Sequence, residues 1–154
     1  MMIDLLRQIY AYAPESVKRA VMVRRREPIW TRAGIVFIHI PKAAGTTINE
    51  ALYGRFMGHV HAADIERWGS AKLRALPLFA VTRNPWDRLL SAYRFARRGG
   101  GMSGAAGRMR HAWRYQVAEC ETFERFVRDW LAPRQLSKQD VIFQLQTPFV
   151  TNGV

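Results

Sequence analysis

The sequence predicts an α/β fold, because two short apolar runs, Ile35–Ile40 and Leu78–Val81, each break off abruptly into a polar turn that starts a helix. A β-branched run as dense as Ile35-Val36-Phe37-Ile38 fits a strand buried on both faces. Helices are predicted between and after these runs.

The first predicted element is a helix over about Ile3 to Arg26, with Leu5, Leu6, Ile9 and Tyr10 on one stripe and Pro14 dividing it in two. Its second half carries Lys18, Arg19, Arg24, Arg25 and Arg26. Such a face fits either a packing helix with solvated charges or a basic amphipathic helix lying on an anionic membrane.

Pro41 ends the first strand, since proline cannot donate to a sheet ladder. Lys42-Ala43-Ala44-Gly45 then forms a small-residue loop, and Thr47 with Glu50 has capping-box spacing for a helix over Thr47 to Tyr53. A strand, loop and helix in this order offer unpaired N–H groups and the positive end of a helix dipole to an anion, with the Lys42 charge beside them. The stretch reads as a phosphate cradle.

Gly54 and Gly58 mark the next segment as a loop. His59 and His61 alternate there and would share a side in extended chain, but no third ligand is placed to complete a metal site. A general base is the better functional reading, beside that of a hydrogen-bonded loop histidine.

After the second strand, Asn84 as N-cap, Pro85 at the first helical position and Asp87 in the first turn predict another helix start. Arg83 stands at the strand end, where open α/β sheets bind ligands, and Ser91 lies two turns into the helix. The planar fork of Arg83 suits phosphate and the Ser91 hydroxyl can add a bond. The alternatives are an Arg83–Asp87 ion pair and a solvated serine. Two phosphate-directed turns imply a ligand with two separated phosphates.

The helix is expected to end before Gly99, and Gly99–Gly107 reads as a mobile loop flanked by Arg97, Arg98, Arg108 and Arg110 that would suit a lid over an anionic substrate. Two helices are expected after it, Arg110 to Cys120 and Thr122 to Leu131, with Phe123, Phe126, Val127 and Trp130 in the core.

Composition agrees with one domain over residues 1–154, a basic helical segment at 1–33 preceding a core at 34–154. The net charge of +12 calls for an anionic partner, and no acidic residue falls between Asp87 and Glu119. The single cysteine, Cys120, excludes an internal disulfide framework. With no membrane-span window and no signal-peptide order at the start, the expected location is cytoplasmic, with the basic N-terminal segment able to touch the inner face of the membrane.

Phe37-Ile38-His39-Ile40-Pro41-Lys42-Ala43-Ala44-Gly45-Thr46-Thr47 and Val81-Thr82-Arg83-Asn84-Pro85-Trp86-Asp87-Arg88-Leu89-Leu90-Ser91-Ala92-Tyr93 together resemble the nucleotide-binding elements of the carbohydrate sulfotransferase family, which uses 3′-phosphoadenosine 5′-phosphosulfate. The resemblance implies a P-loop NTPase-like α/β fold, a parallel sheet flanked by helices with the nucleotide-binding core at 34–154, sulfuryl transfer to a carbohydrate or glycolipid hydroxyl, and no metal. It implies that Pro41, Lys42, Ala43, Ala44, Gly45, Thr46 and Thr47 surround the 5′-phosphosulfate, with Lys42 neutralising the leaving oxygen, and that Arg83 and Ser91 hold the 3′-phosphate.

Gly58-His59-Val60 is similar to the histidine segment of the uronyl 2-O-sulfotransferases, which makes His59 the implied base with His61 behind it; other branches use a carboxylate, and Asp64 and Glu66 lie near. The segment Gln144–Gly153 resembles one that continues in the family, so the domain is expected to be C-terminally short. Two rivals are a P-loop kinase or NTPase, whose Gly-x-x-x-x-Gly-Lys-Ser/Thr pattern is absent, and a basic nucleic-acid-binding module, which leaves both phosphate turns unexplained.

Overall fold

The computed structural model describes residues 10, 12–101, 107–109 and 111–151. The expected stripe over Leu5, Leu6 and Ile9, the middle of the Gly99–Gly107 loop and the last three residues lie outside these. The first described helix, α1, spans Glu15–Ala33, with Pro14 at its N-cap and Gly34 closing it at φ 72°, where the Gly34 N–H donates to the Trp30 carbonyl. It runs seven residues beyond the expected end at Arg26, straight through Pro28. Packing overrides the proline: Val23 and Trp30, both essentially unexposed, are buried in the first core and hold the two halves to one surface.

Strand β1, Val36–Ile38, is buried throughout. It pairs in parallel with β2, Leu78–Ala80, in the register Val36↔Leu78, Phe37↔Phe79 and Ile38↔Ala80. Among the described residues the sheet has these two strands. The fold is therefore mixed α/β with helices predominating. On the other side of β1 the Tyr53 hydroxyl stands in for a neighbouring strand, accepting from the Phe37 N–H at 2.9 Å and donating to the Ile35 carbonyl at 3.1 Å.

Helix α2 covers Gly45–Tyr53, α3 Ala62–Trp68, α4 Ala71–Arg74 and α5 Pro85–Arg97. Asn84 caps α5 as its sequence predicts, its side-chain oxygen accepting from the N–H groups of Trp86 (3.0 Å) and Asp87 (3.4 Å). Beyond α5, the Gly100–Arg108 bridge pinches the base of the glycine-rich loop, and Gly100 is required there because a Cβ would lie 2.6 Å from the Gly107 carbonyl.

The helix expected over Arg110 to Cys120 is instead two 3-10 turns, Ala112–Tyr115 and Ala118–Cys120. A side chain of α5 claims a carbonyl that such a helix would use, Arg97 donating to the Tyr115 carbonyl at 2.8 Å, while the Tyr93 hydroxyl donates to the Cys120 carbonyl at 2.9 Å and fixes the end of the segment. Thr122 then caps α6, Phe123–Arg125, which runs on into a π-helical stretch, Phe126–Leu131. After two more 3-10 turns, Leu136–Lys138 and Val141–Phe143, the described chain closes with α7, Thr147–Val150.

Two cores result. The first joins α1, β1, α3 and α4 around Trp30, Ile38, Ile40, Leu73 and Phe149. The second joins α5, the π-helical stretch and the last 3-10 turn around Tyr115, Cys120, Phe126, Trp130 and Phe143. Phe126 and Trp130 take the core positions expected of them, and Cys120 is an interior thiol. Val141 packs against both clusters.

Phe149 comes from a four-residue helix that could not hold itself together. It is fully buried against the first core and stacks on His61 at 4.5 Å. Phe149→Ala is expected to lower unfolding free energy by about 3 to 5 kcal/mol, as for a large aromatic removed from a core, measured by urea unfolding.

Candidate active site

The two strand-to-helix turns face one cleft, lined by Pro41, Lys42, Ala44, Gly45, Thr46 and Thr47 from the first, Arg83 and Ser91 from the second, and His39, Phe56, His59, Phe95 and Ile142 around them. Of the residues the resemblance assigns to the donor and the base, all but Ala43 and His61 are here, and neither alternative carboxylate, Asp64 or Glu66, lines the cleft. Ala43 is turned into the first core at 2% exposure. His61 sits at the start of α3, its backbone N–H donating to Asp64 at 3.2 Å and its ring against Phe149. Asp64 itself faces α1, where Arg19 approaches to 3.4 Å.

The first turn departs from its predicted geometry. Helix α2 begins at Gly45 rather than Thr47, and no side chain caps it. The Thr47–Glu50 capping box does not form, because Thr47 already lies inside the helix. Lys42 and Ala44 both adopt left-handed backbone, at φ 65° and 61°. Each costs about 1 to 2 kcal/mol for a residue with a Cβ. Such alternation gathers N–H groups on one side of a turn, and here it leads into a helix N-terminus with no competing side-chain acceptor.

Gly45 has a steric reason. A Cβ at this position would fall 1.9 Å from the His39 ring. His39 is itself 4% exposed, its Nδ1 3.0 Å from the side-chain amide of Asn49 on α2. With the Asn49 amide donating, the His39 proton resides on Nε2. Burial first, then the charges of His59 and Lys42, push the His39 pKa down to about 3.

His59 packs on His39 with ring centroids 4.4 Å apart, and Phe56 meets both rings edge-on. The His59 Nδ1 is 3.1 Å from the His39 carbonyl. A carbonyl can only accept, so Nδ1 carries the proton and Nε2 is left with a free lone pair. Burial lowers the His59 pKa, opposed by this hydrogen bond and assisted by His61 and Arg88.

Lys42 holds its ammonium 4.1 Å over the Phe95 ring. Burial, then Arg98 and Arg83, lower its pKa. Lys42 is thus a cation among cations, resting on an aromatic face, and a bound anion would relieve that repulsion. No carboxylate lines the cleft among the described residues.

Arg83 makes no ion pair with Asp87 among the described residues; its backbone is gripped by Gln146, whose amide oxygen accepts from the Arg83 N–H at 3.0 Å while its nitrogen donates to the Arg83 carbonyl at 2.9 Å. The Arg83 guanidinium reaches toward the Lys42 carbonyl at 3.5 Å.

Arg88 escaped the sequence reading. It is 6% exposed and donates from Nε to the Pro41 carbonyl at 2.9 Å, and from Nη2 to the carbonyls of Gln144 at 2.8 Å and Ile142 at 3.3 Å. One guanidinium therefore fastens the first turn to the helix of the second and to the segment carrying Gln146. A signal existed: Arg88, Ala92 and Ala96 share one buried stripe of α5, with the arginine at its head.

A helix start with no side-chain cap, two cations, Lys42 and Arg83, and an imidazole with an unprotonated nitrogen face this cleft, an arrangement suited to an anionic group. The chain belongs to the sulfotransferase family, whose sequence model matches residues 29–152. It is thus a sulfuryl-transfer domain. No curated protein and no solved structure matches the chain. No group of three or more His, Cys, Asp or Glu is assembled to hold a metal among the described residues, and none of their helices is long and apolar enough to cross a membrane.

The buried neutral histidine makes stability depend on pH. In the unfolded chain His39 takes up a proton near its ordinary pKa of 6.5, whereas the folded chain resists until about 3. The unfolded state therefore binds more protons across this window, and folding weakens as pH falls through it, by about 1.4 kcal/mol for each unit fully below 6.5. Urea midpoints measured between pH 7.5 and 4.5 are expected to drop, and His39→Gln to flatten the drop.

Proposed function

We propose that this protein transfers the sulfuryl group of 3′-phosphoadenosine 5′-phosphosulfate to a hydroxyl of a carbohydrate or glycolipid. The observation that carries the reading is the convergence of both strand-to-helix turns, with Lys42, Arg83 and the free Nε2 of His59, on one cleft. Two strand-to-helix turns opening on one cleft support a donor with two separated phosphates. The uncapped start of α2, with Lys42, Thr46 and Thr47, takes the 5′-phosphosulfate, and Arg83 with Ser91 takes the 3′-phosphate.

In the reaction, the acceptor oxygen forms a bond to sulfur as the bond from sulfur to the 5′-phosphate oxygen breaks. The acceptor proton passes to His59 Nε2. The electron pair leaves on the phosphate oxygen, where Lys42 offsets the developing charge, and 3′-phosphoadenosine 5′-phosphate departs. Holding the donor at both phosphates fixes the sulfur in line with the incoming oxygen. The Nδ1 proton stays on His59, donated to the His39 carbonyl throughout, which keeps the basic nitrogen the same from one turnover to the next. Contact with the inner face of a membrane through α1 belongs to the same proposal, since it would bring the domain to a glycolipid acceptor.

Transfer of radiolabelled sulfate from the donor to a panel of bacterial glycans and glycolipids tests this. His59→Ala is expected to lower kcat by about 10² to 10⁴ and Lys42→Ala by about 10² to 10³, the ranges for a general base and for a donor to developing charge. Arg83→Ala is expected to act chiefly on the donor KM. Normal turnover in all three variants would overturn the assignment.

The base must be neutral to accept a proton. Because the His59 pKa lies below its ordinary 6.5, kcat is expected to hold steady from pH 8 to below that value and then fall.

A further inference from the structure

Behind the Gly54–Gly58 loop lies a second pocket, lined on one side by Tyr10, Met22, Arg25, Arg26 and Ile29 and on the other by Arg55. Phe56, the next residue along, lines the first cleft, so this loop is a wall with the histidines on one face and three arginines on the other. Arg26 is half-buried and rests on Gly58, where a Cβ would come within 3.2 Å of its Nη2 and where φ is +80°. The glycine makes room for the guanidinium.

The three charges have no visible reason to be together. After burial, Arg55 and Arg25 are the main influences lowering the Arg26 pKa. Among the described residues no carboxylate pairs with any of the three: nearby Glu27 is taken by Arg24 at 3.6 Å and Glu15 by Lys18 at 3.0 Å. The Tyr10 hydroxyl donates to the Lys18 carbonyl. Guanidiniums crowded into a recess repel one another until an anion bridges them, and three planar forks offer more donors than the two oxygens of a carboxylate can take.

We infer that Arg25, Arg26 and Arg55 form a second anion site that binds a tetrahedral oxyanion of the phosphomonoester class, separate from the cleft that handles the sulfuryl group. The oxyanion comes either from a soluble phosphate or from a lipid headgroup.

The test isolates this pocket by using the full chain carrying Lys42→Ala and Arg83→Ala, which removes two cations from the first cleft whatever that cleft binds. Inorganic phosphate at constant ionic strength, with chloride as control, is expected to raise its melting temperature. Adding Arg25→Gln and Arg55→Gln, both exposed positions, is expected to weaken phosphate binding at least tenfold, as is Arg26→Gln alone. Absence of phosphate stabilisation, or stabilisation unchanged when the arginines are neutralised, would overturn the proposal.

Pelleting with phosphatidylcholine vesicles containing phosphatidic acid, against phosphatidylglycerol at matched charge, identifies the source. Arginine-dependent preference for phosphatidic acid assigns the site to a lipid headgroup. Phosphate binding without that preference assigns it to a soluble ligand. Equal pelleting with both lipids in all variants, together with no phosphate effect, reduces the pocket to diffuse surface charge and rejects it.

Discussion

A single guanidinium in the interior holds the two strand-to-helix turns together. Arg88 is buried without a carboxylate partner among the described residues, and its charge is met by the carbonyls of Pro41, Ile142 and Gln144. Three carbonyl dipoles are a weaker answer to a buried cation than a carboxylate, but they leave the net positive field of the cleft intact. A carboxylate at this place would neutralise part of the field that draws an anion to Lys42 and Arg83. The same three bonds reach pieces of chain 47, 54 and 56 residues from Arg88. The first turn, the helix after the second turn and the closing segment move as one because each has a partner on this side chain.

The closing segment repays the connection. Gln146 lies two residues beyond the last carbonyl that Arg88 binds and grips both backbone groups of Arg83, much as a neighbouring strand would. The polypeptide that Arg88 secures is therefore the one that sets the second turn. On the opposite wall, His39 carries a comparable burden for His59: its carbonyl fixes the His59 tautomer, its ring supports the His59 ring, and Asn49 fixes its own proton. Both devices are built from neutral or carbonyl partners. The site is rigid without being neutralised.

The elements that local chemistry decides were legible in the sequence. Asn84 and Pro85 start α5 through bonds no more than three residues long, and the β1 run is buried because its residues have nowhere else to go. What misled was the first turn. Thr47 and Glu50 have the right spacing for a capping box, yet the helix starts earlier because left-handed backbone at Lys42 and Ala44 delivers the chain to Gly45 already turned, under the His39 ring. That constraint is tertiary, and no spacing reveals it. Pro28 misled in the same way, since burial of Val23 and Trp30 on one surface outweighs a lost helical bond. Histidine spacing paired His59 with His61, but the helix start at Ala62 turns His61 toward Phe149. The stripe it shares with Ala92 and Ala96 hints that Arg88 is buried, but its partners could not be read because they lie up to 56 residues away.

The proposed function requires the two turns, locked by Arg88, to form one site for a ligand bearing two separated phosphates. Isothermal titration of the wild-type chain and of Arg88→Met with 3′-phosphoadenosine 5′-phosphate and with 5′-AMP tests it most directly. The account predicts that the wild type strongly prefers the bisphosphate, and that Arg88→Met, provided its circular dichroism remains native, loses most of the preference without touching the ligand. Equal affinity of the wild type for the two nucleotides, or no affinity for either, would contradict it.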